Sequence, residues 1–122
     1  MDTPQFPQGA RVLRLSLKKQ WFDLMVTGEK NLEFRKPSQW MMSRLEGREP
    51  MPEGLYDFVL FTNGYGRTKP WFSCRYEGWC KADCHHRRHY GGHVVAVERG
   101  DIKIFLGPVL QSGNLKPSPQ PA

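Results

Sequence analysis

Between Arg11 and Lys36 the hydrophobic period changes twice, and this switch limits the possible folds more than any other feature of the chain. Leu13, Leu15 and Leu17 alternate with Arg14, Ser16 and Lys18, the period of a strand with one buried face. From Lys19 to Thr27 the spacing becomes helical. Trp21, Leu24 and Met25 share a face, Phe22 and Val26 widen it, and Lys19 and Asp23 pair outward at i,i+4. Gly28 stands where such a helix stops, because glycine accepts the left-handed C′ conformation. Asn31 to Lys36 alternates again and predicts a short strand, ended by Pro37. Its parity puts Leu32 and Phe34 on one side and Asn31, Glu33 and Arg35 on the other. Glu33 and Arg35 are then neighbours about 7 Å apart along the strand. Lys30 joins them only if the chain turns between Gly28 and Lys30.

Ser38 is a good N-cap for a helix over Gln39 to Leu45 that buries Trp40, Met41 and Leu45. Glu46 to Gly54 reads as a loop, and Tyr56 to Thr62, apolar on both parities, as a central strand. Asn63 to Pro70 is a glycine-rich loop. Trp71 to Trp79 returns to a strand pattern, and residues 81–92 read as a polar, histidine-rich loop. His93 to Glu98 predicts a buried strand, Gly100-Asp101 a turn, and Ile102 to Leu106 a last strand. Residues 1–10 and 107–122 are expected to be flexible tails, leaving one domain over 11–106. The order β-α-β-α followed by strands is no regular βαβ alternation. It predicts an α+β, mainly-β fold, a small barrel-like sheet with two or three short flanking helices.

At 122 residues the chain fits one domain, and none of its apolar runs approaches the roughly 20 residues of a membrane span. Its first residues lack the build of a signal peptide, so a cytoplasmic monomer with no membrane contact is expected. Three cysteines are too few for a disulfide framework and fit free thiols. The net charge of +6 suits a polyanionic partner, but many small basic proteins bind no nucleic acid, and charge alone does not decide between the two.

Three groups of residues are candidate sites. Lys30, Glu33 and Arg35 form a polar cluster in which the cations would hold phosphate or a base carbonyl. Glu33 would accept from a base amino group or act as a general base. The competing reading is a structural Glu33–Arg35 pair with Lys30 in solvent. In the glycine-rich loop, Tyr65 and Trp71 could stack on bases and Arg67 and Lys69 meet phosphates; the competing reading is an ordinary β-loop whose glycines serve turns and whose aromatics pack on the end of the barrel. Cys80, Cys84, His89 and His93 are ligand types suited to zinc, although their spacing matches no known arrangement. A solvent loop made basic by Arg87 and Arg88 is the simpler account, and no cofactor is expected.

Gly28, Lys30, Glu33 and Arg35, with the strand and helix before them, resemble the activating signal cointegrator homology (ASCH) domain, part of the PUA-like superfamily. Its signature is a glycine, a lysine two residues on, a glutamate three further and an arginine two after that. The resemblance spans about residues 11–106 and is specific over 13–36. It implies a PUA-like β-barrel with flanking helices and a cleft lined by the motif. Partners would be RNA, other single-stranded nucleic acid, or a modified nucleoside. The superfamily mostly binds RNA, and some members are described as ribonucleases. Others resemble N4-acetylcytidine amidohydrolases, which use a lysine, a threonine three residues later and a distant glutamate. Lys30 matches the lysine, and Glu33 stands in the threonine position. The resemblance therefore implies nucleic-acid binding, with a hydrolase acting through Lys30 and Glu33 as the alternative.

Overall fold

The computed structural model describes residues 3–46 and 54–115, so the expected loop at 46–54 lies mostly outside it. Five strands form one curled sheet in the order β1-β3-β4-β7-β2, a half-barrel within a mainly-β α+β fold. They are β1 (Val12–Ser16), β2 (Leu32–Arg35), β3 (Phe58–Thr62), β4 (Trp71–Lys81) and β7 (Ile102–Gly113). β1 runs parallel to β3, and the other pairings are antiparallel. Two helices lie among the described residues, α1 (Lys19–Val26) and α2 (Gln39–Leu45). A separate hairpin joins β5 (His86–Tyr90) to β6 (His93–Val97). No helix among the described residues is long and apolar enough to cross a membrane.

The double switch of period explains the core. Leu13 and Leu15 of β1 face inward with Val59 and Phe61 of β3. Phe22 and Met25 bring α1 onto the same core, where Phe22 meets Phe72 edge-on at 5.0 Å. Three register shifts along the β4–β7 pairing, between Ser73 and Trp79, mark the irregularities that let this two-stranded ribbon curl. The curl leaves β1 and β2 as the open edges of the sheet, and α1 connects them. Ser38 caps α2 as expected, accepting from the Met41 N–H at 3.2 Å.

Five expectations need correction. β6 is not a buried strand: Val97 is buried, but Val94 is 49% exposed and His93 and Ala96 are exposed as well. Residues 86–90 are a strand, because the Gly91-Gly92 turn folds a polar run back onto β6. The last strand does not stop at Leu106 but continues to Gly113, where β4 supplies partners as far as the Trp71–Gly113 pair. Residues 3–10 are tied down: Gln5 and Gln111 exchange two hydrogen bonds, at 3.0 and 2.6 Å, and Phe6 packs on Phe58 at 5.3 Å. Trp40 is not buried by α2. It is 49% exposed, with the Arg44 guanidinium 3.5 Å above its ring.

Candidate functional site

Gly28 delivers Lys30 to the site. At φ +86° it takes the left-handed conformation that ends α1, and its N–H donates to the Met25 carbonyl at 3.1 Å. The Lys30 N–H then reaches back to the Leu24 carbonyl at 3.2 Å. The turn folds the Lys30 side chain under the sheet edge, where only 3% of the residue is exposed. The reading that left Lys30 in solvent is therefore overturned, while the parity of Glu33 and Arg35 holds.

Glu33 is the hub of the cluster. Its Oε1 accepts from Lys30 Nζ at 3.5 Å and from the Phe34 N–H at 3.2 Å. Its Oε2 accepts from Arg35 Nε at 2.8 Å and lies 2.7 Å from Arg35 Nη2. Those contacts occupy the roughly four lone-pair positions of a carboxylate. Glu33 is thus committed to its own neighbours, which removes the open acceptor that the sequence suggested. Lys30 Nζ also donates to the Leu32 carbonyl and lies 3.6 Å from the Met25 sulfur. Three rings surround the ammonium, with centroids at 5.8 Å for Trp21, 5.3 Å for Phe34 and 5.5 Å for Tyr90, inside the range of cation–π attraction.

Burial holds the Lys30 amine below its ordinary value. Glu33 pulls the other way through charge and hydrogen bonding, and Arg35 adds a smaller push downward. Desolvation therefore outweighs the carboxylate, a contest the sequence left open. Arg35 has a second task. Its Nη2 donates to the Ser16 carbonyl at 2.6 Å, which ties β2 to β1 across the open edge. Nη1 is left without a partner among the described residues.

Above this cluster lies a cleft of about 640 Å³, within the roughly 300–1,000 Å³ usual for small-ligand sites. Lys30, Glu33 and Arg35 floor it, Trp21 and Phe34 wall one side, and Val94 to Ala96 of β6 line another. Gly64 and Tyr65 come in from the glycine-rich loop, and Tyr65 is fully exposed. That loop is anchored by Asn63, whose side chain donates to the Leu17 carbonyl at 2.9 Å.

The other loop residues expected to meet nucleic acid lie elsewhere. Arg67, Lys69 and Trp71 line a second hollow of about 520 Å³, with Arg14, Ser16 and Trp40. Strand alternation explains this placement: Phe72 points into the core, so Trp71 points to the opposite face. Trp71 is only 3% exposed and forms floor rather than an open stacking surface. Among the described residues, no group of three or more histidine, cysteine or acidic side chains is arranged to hold a metal. Cys80 and Cys84 are exposed thiols, while His89 lies in the hairpin opposite Val94 and His93 packs edge-on against Trp21 at 5.4 Å. The zinc expectation thus loses its geometric basis. Cys74 is buried, and its thiol is pushed up to about 12 by that burial and then by Glu77, so it is a poor nucleophile.

Sequence reasoning missed Trp21, Phe34 and Tyr90 as parts of the site. Tyr90 had one usable signal, the two-glycine turn that makes its strand a hairpin. Trp21 and Phe34 fall on apolar stripes, which give no hint that they reach past the core to a cleft. Comparison of the chain with known protein families, with curated proteins and with solved structures finds no match.

Proposed function

We propose that this chain is a nucleic-acid-binding domain that admits a single unpaired base of RNA into the cleft. The observation that carries the reading is one meeting of groups: the open Nη1 edge of Arg35, the rings of Trp21 and Phe34, and the fully exposed Tyr65 at the mouth. A guanidinium edge suits a base carbonyl or phosphate oxygen, and aromatic faces stack on any base. A volume of about 640 Å³ suits a single nucleotide and not a duplex, which supports this reading.

The spacing of Gly28, Lys30, Glu33 and Arg35 supports assignment to the ASCH family and the PUA-like superfamily. So does the gathering of the last three at one cleft in a half-barrel. RNA is preferred over DNA on that resemblance. Glu33 acts here as the internal counter-ion that holds Arg35 in position, not as a base reader.

Fluorescence polarisation with labelled hexauridylate tests the reading. Affinity should fall steeply with added salt, because phosphate contacts release counter-ions. Arg35→Lys keeps the charge, loses the fork, and should weaken binding. An affinity insensitive to salt ends this reading.

One observation favours a second reading, a hydrolase acting on RNA or on a modified nucleoside. The Lys30 amine is held below its usual value, the direction a lysine nucleophile or base requires. Incubation with labelled RNA and with a panel including N4-acetylcytidine separates the two. Turnover lost in Lys30→Ala and kept in Tyr65→Ala would establish the hydrolase. No turnover, with binding weakened in both variants, would establish the binder.

A further inference from the structure

The second hollow lies on the outer face of the sheet, across β1 and β3 from the core. Its cations Arg14, Arg67 and Lys69 are all exposed, and no carboxylate is among the described residues that line it. Like charges gathered in one concavity repel each other and are relieved by a polyanion, since salt screens charges fully only beyond a Debye length of about 8 Å at physiological ionic strength. Trp40 stands at the side, 49% exposed. It is held there by Arg44, which stacks at 3.5 Å and donates to the Trp40 carbonyl at 3.0 Å. An exposed tryptophan beside clustered cations is the pairing that binds single strands, with a ring for a base and charge for the backbone.

The two hollows adjoin. Ser16, at the end of β1, lines both. Tyr65 at the mouth of the cleft and Arg67 in the hollow are two residues apart on one loop, at most about 7 Å of chain. A strand leaving the cleft past Ser16 therefore enters the cationic hollow directly.

We infer that the outer hollow is a second subsite for single-stranded RNA. In it Arg14, Arg67 and Lys69 hold the phosphodiester backbone and Trp40 stacks on a base, next to the nucleotide in the cleft. This rests on the cleft reading above, and it adds a direction to the bound strand: over the end of β1 and across the outer face.

The test compares uridine monophosphate with labelled hexauridylate on the full chain. The double variant R14A/K69A is set against R87A/R99A, which removes the same charge from exposed positions on the hairpin and the turn after it. R14A/K69A should weaken the hexamer about tenfold at low salt. It should also lower the salt slope by about 1.4, from about 0.7 for each of two single-strand phosphates, and leave the monophosphate unchanged. Trp40→Ala should weaken the hexamer at least about fivefold. All of these positions are exposed, and circular dichroism melts verify folding. Equal loss in R87A/R99A would mean diffuse attraction and would overturn the subsite. So would decaglutamate competing as well as hexauridylate, because the hollow would then serve an acidic peptide. Hexamer binding sensitive to Tyr65→Ala but not to R14A/K69A ends the subsite and leaves the cleft reading standing. Sensitivity to R14A/K69A alone ends the cleft reading and the continuous path together.

Discussion

The cleft and the outer hollow use the same kinds of side chain in opposite ways. In the cleft, Lys30, Glu33 and Arg35 are packed together, with side-chain exposures of 2%, 6% and 25%, and both oxygens of Glu33 are spent on Lys30, Arg35 and the Phe34 N–H. In the outer hollow, Arg14, Arg67 and Lys69 stand in solvent with no carboxylate among the described lining residues. Buried charges are held by the fold and hold it in turn. Exposed ones are free to meet a ligand and contribute little to stability. The difference separates residues that build a site from residues that fill it. In the cleft the open groups are Arg35 Nη1 and the rings, while Glu33 and Lys30 are framework.

Glu33→Ala should break this contrast most sharply. It leaves the Lys30 ammonium and the Arg35 guanidinium side by side without their anion, and stranding a buried charge costs about 3–5 kcal/mol. Chemical denaturation should show a loss of that order. Arg14→Ala, Arg67→Ala and Lys69→Ala should each stay within about 0.5 kcal/mol of the parent. A Glu33→Ala protein as stable as the parent would mean that the cluster is not the framework of the edge.

The next effect is a pH dependence. The folded chain holds the Lys30 amine below 10.5, so between that lowered value and 10.5 the unfolded state binds more protons. Stability from this group therefore rises with pH across that window, and below it the penalty for burying the charge is fully present. In Lys30→Met the rise should disappear. Because Glu33 keeps Arg35, this variant should be far less destabilised near neutral pH than Glu33→Ala. Unfolding free energies measured from neutral to alkaline pH for parent and variant test the sign directly. A parent protein that loses stability over that window through Lys30 would contradict the burial argument.

Tyr65→Ala sharpens the other side of the comparison. The ring is fully exposed, so its removal should leave the melting curve unchanged. Binding of single-stranded RNA should weaken by the 1–3 kcal/mol typical of one stacked base. Equal affinity in parent and variant would exclude the tyrosine from the site.

What could be read ahead of the structure follows the same divide. The Arg11–Lys36 stretch announced its strand, helix, turn and strand because two periods and a helix-stopping glycine all pointed one way. Its Glu33–Arg35 pairing followed from parity alone. The partners of Lys30 did not, because Trp21, Phe34 and Tyr90 arrive from a helix, a strand and a hairpin, and long-range convergence leaves no local pattern. β5 was hidden for another reason: His86 to Tyr90 is polar on both faces, since the hairpin stands apart from the main sheet and buries little. The far half of β7 carries Pro108 and Ser112 and reads as a tail, yet pairing with the long β4 keeps it extended. Arg67 and Lys69 went to the wrong face because the direction taken by a loop is not encoded in its composition.

The smallest expected effect tests how the outer hollow is built. Ser38 caps α2 by accepting the Met41 N–H, and α2 is the element that sets Trp40 at the side of the hollow. Ser38→Ala leaves one helix-end donor unsatisfied and should cost about 1 kcal/mol of stability. Met41 and Leu45, 2% and 3% exposed, still anchor the helix, so the fold should survive. The loosened first turn contains Trp40 itself. Hexauridylate affinity should therefore fall slightly, by less than in Trp40→Ala, while uridine monophosphate affinity stays at the parent value. Denaturation and both titrations on the same preparation separate the outcomes. A Ser38→Ala protein that lost monophosphate binding would show that the cleft and the outer face are mechanically one unit, which the separate anchoring of α2 and Gly28 argues against.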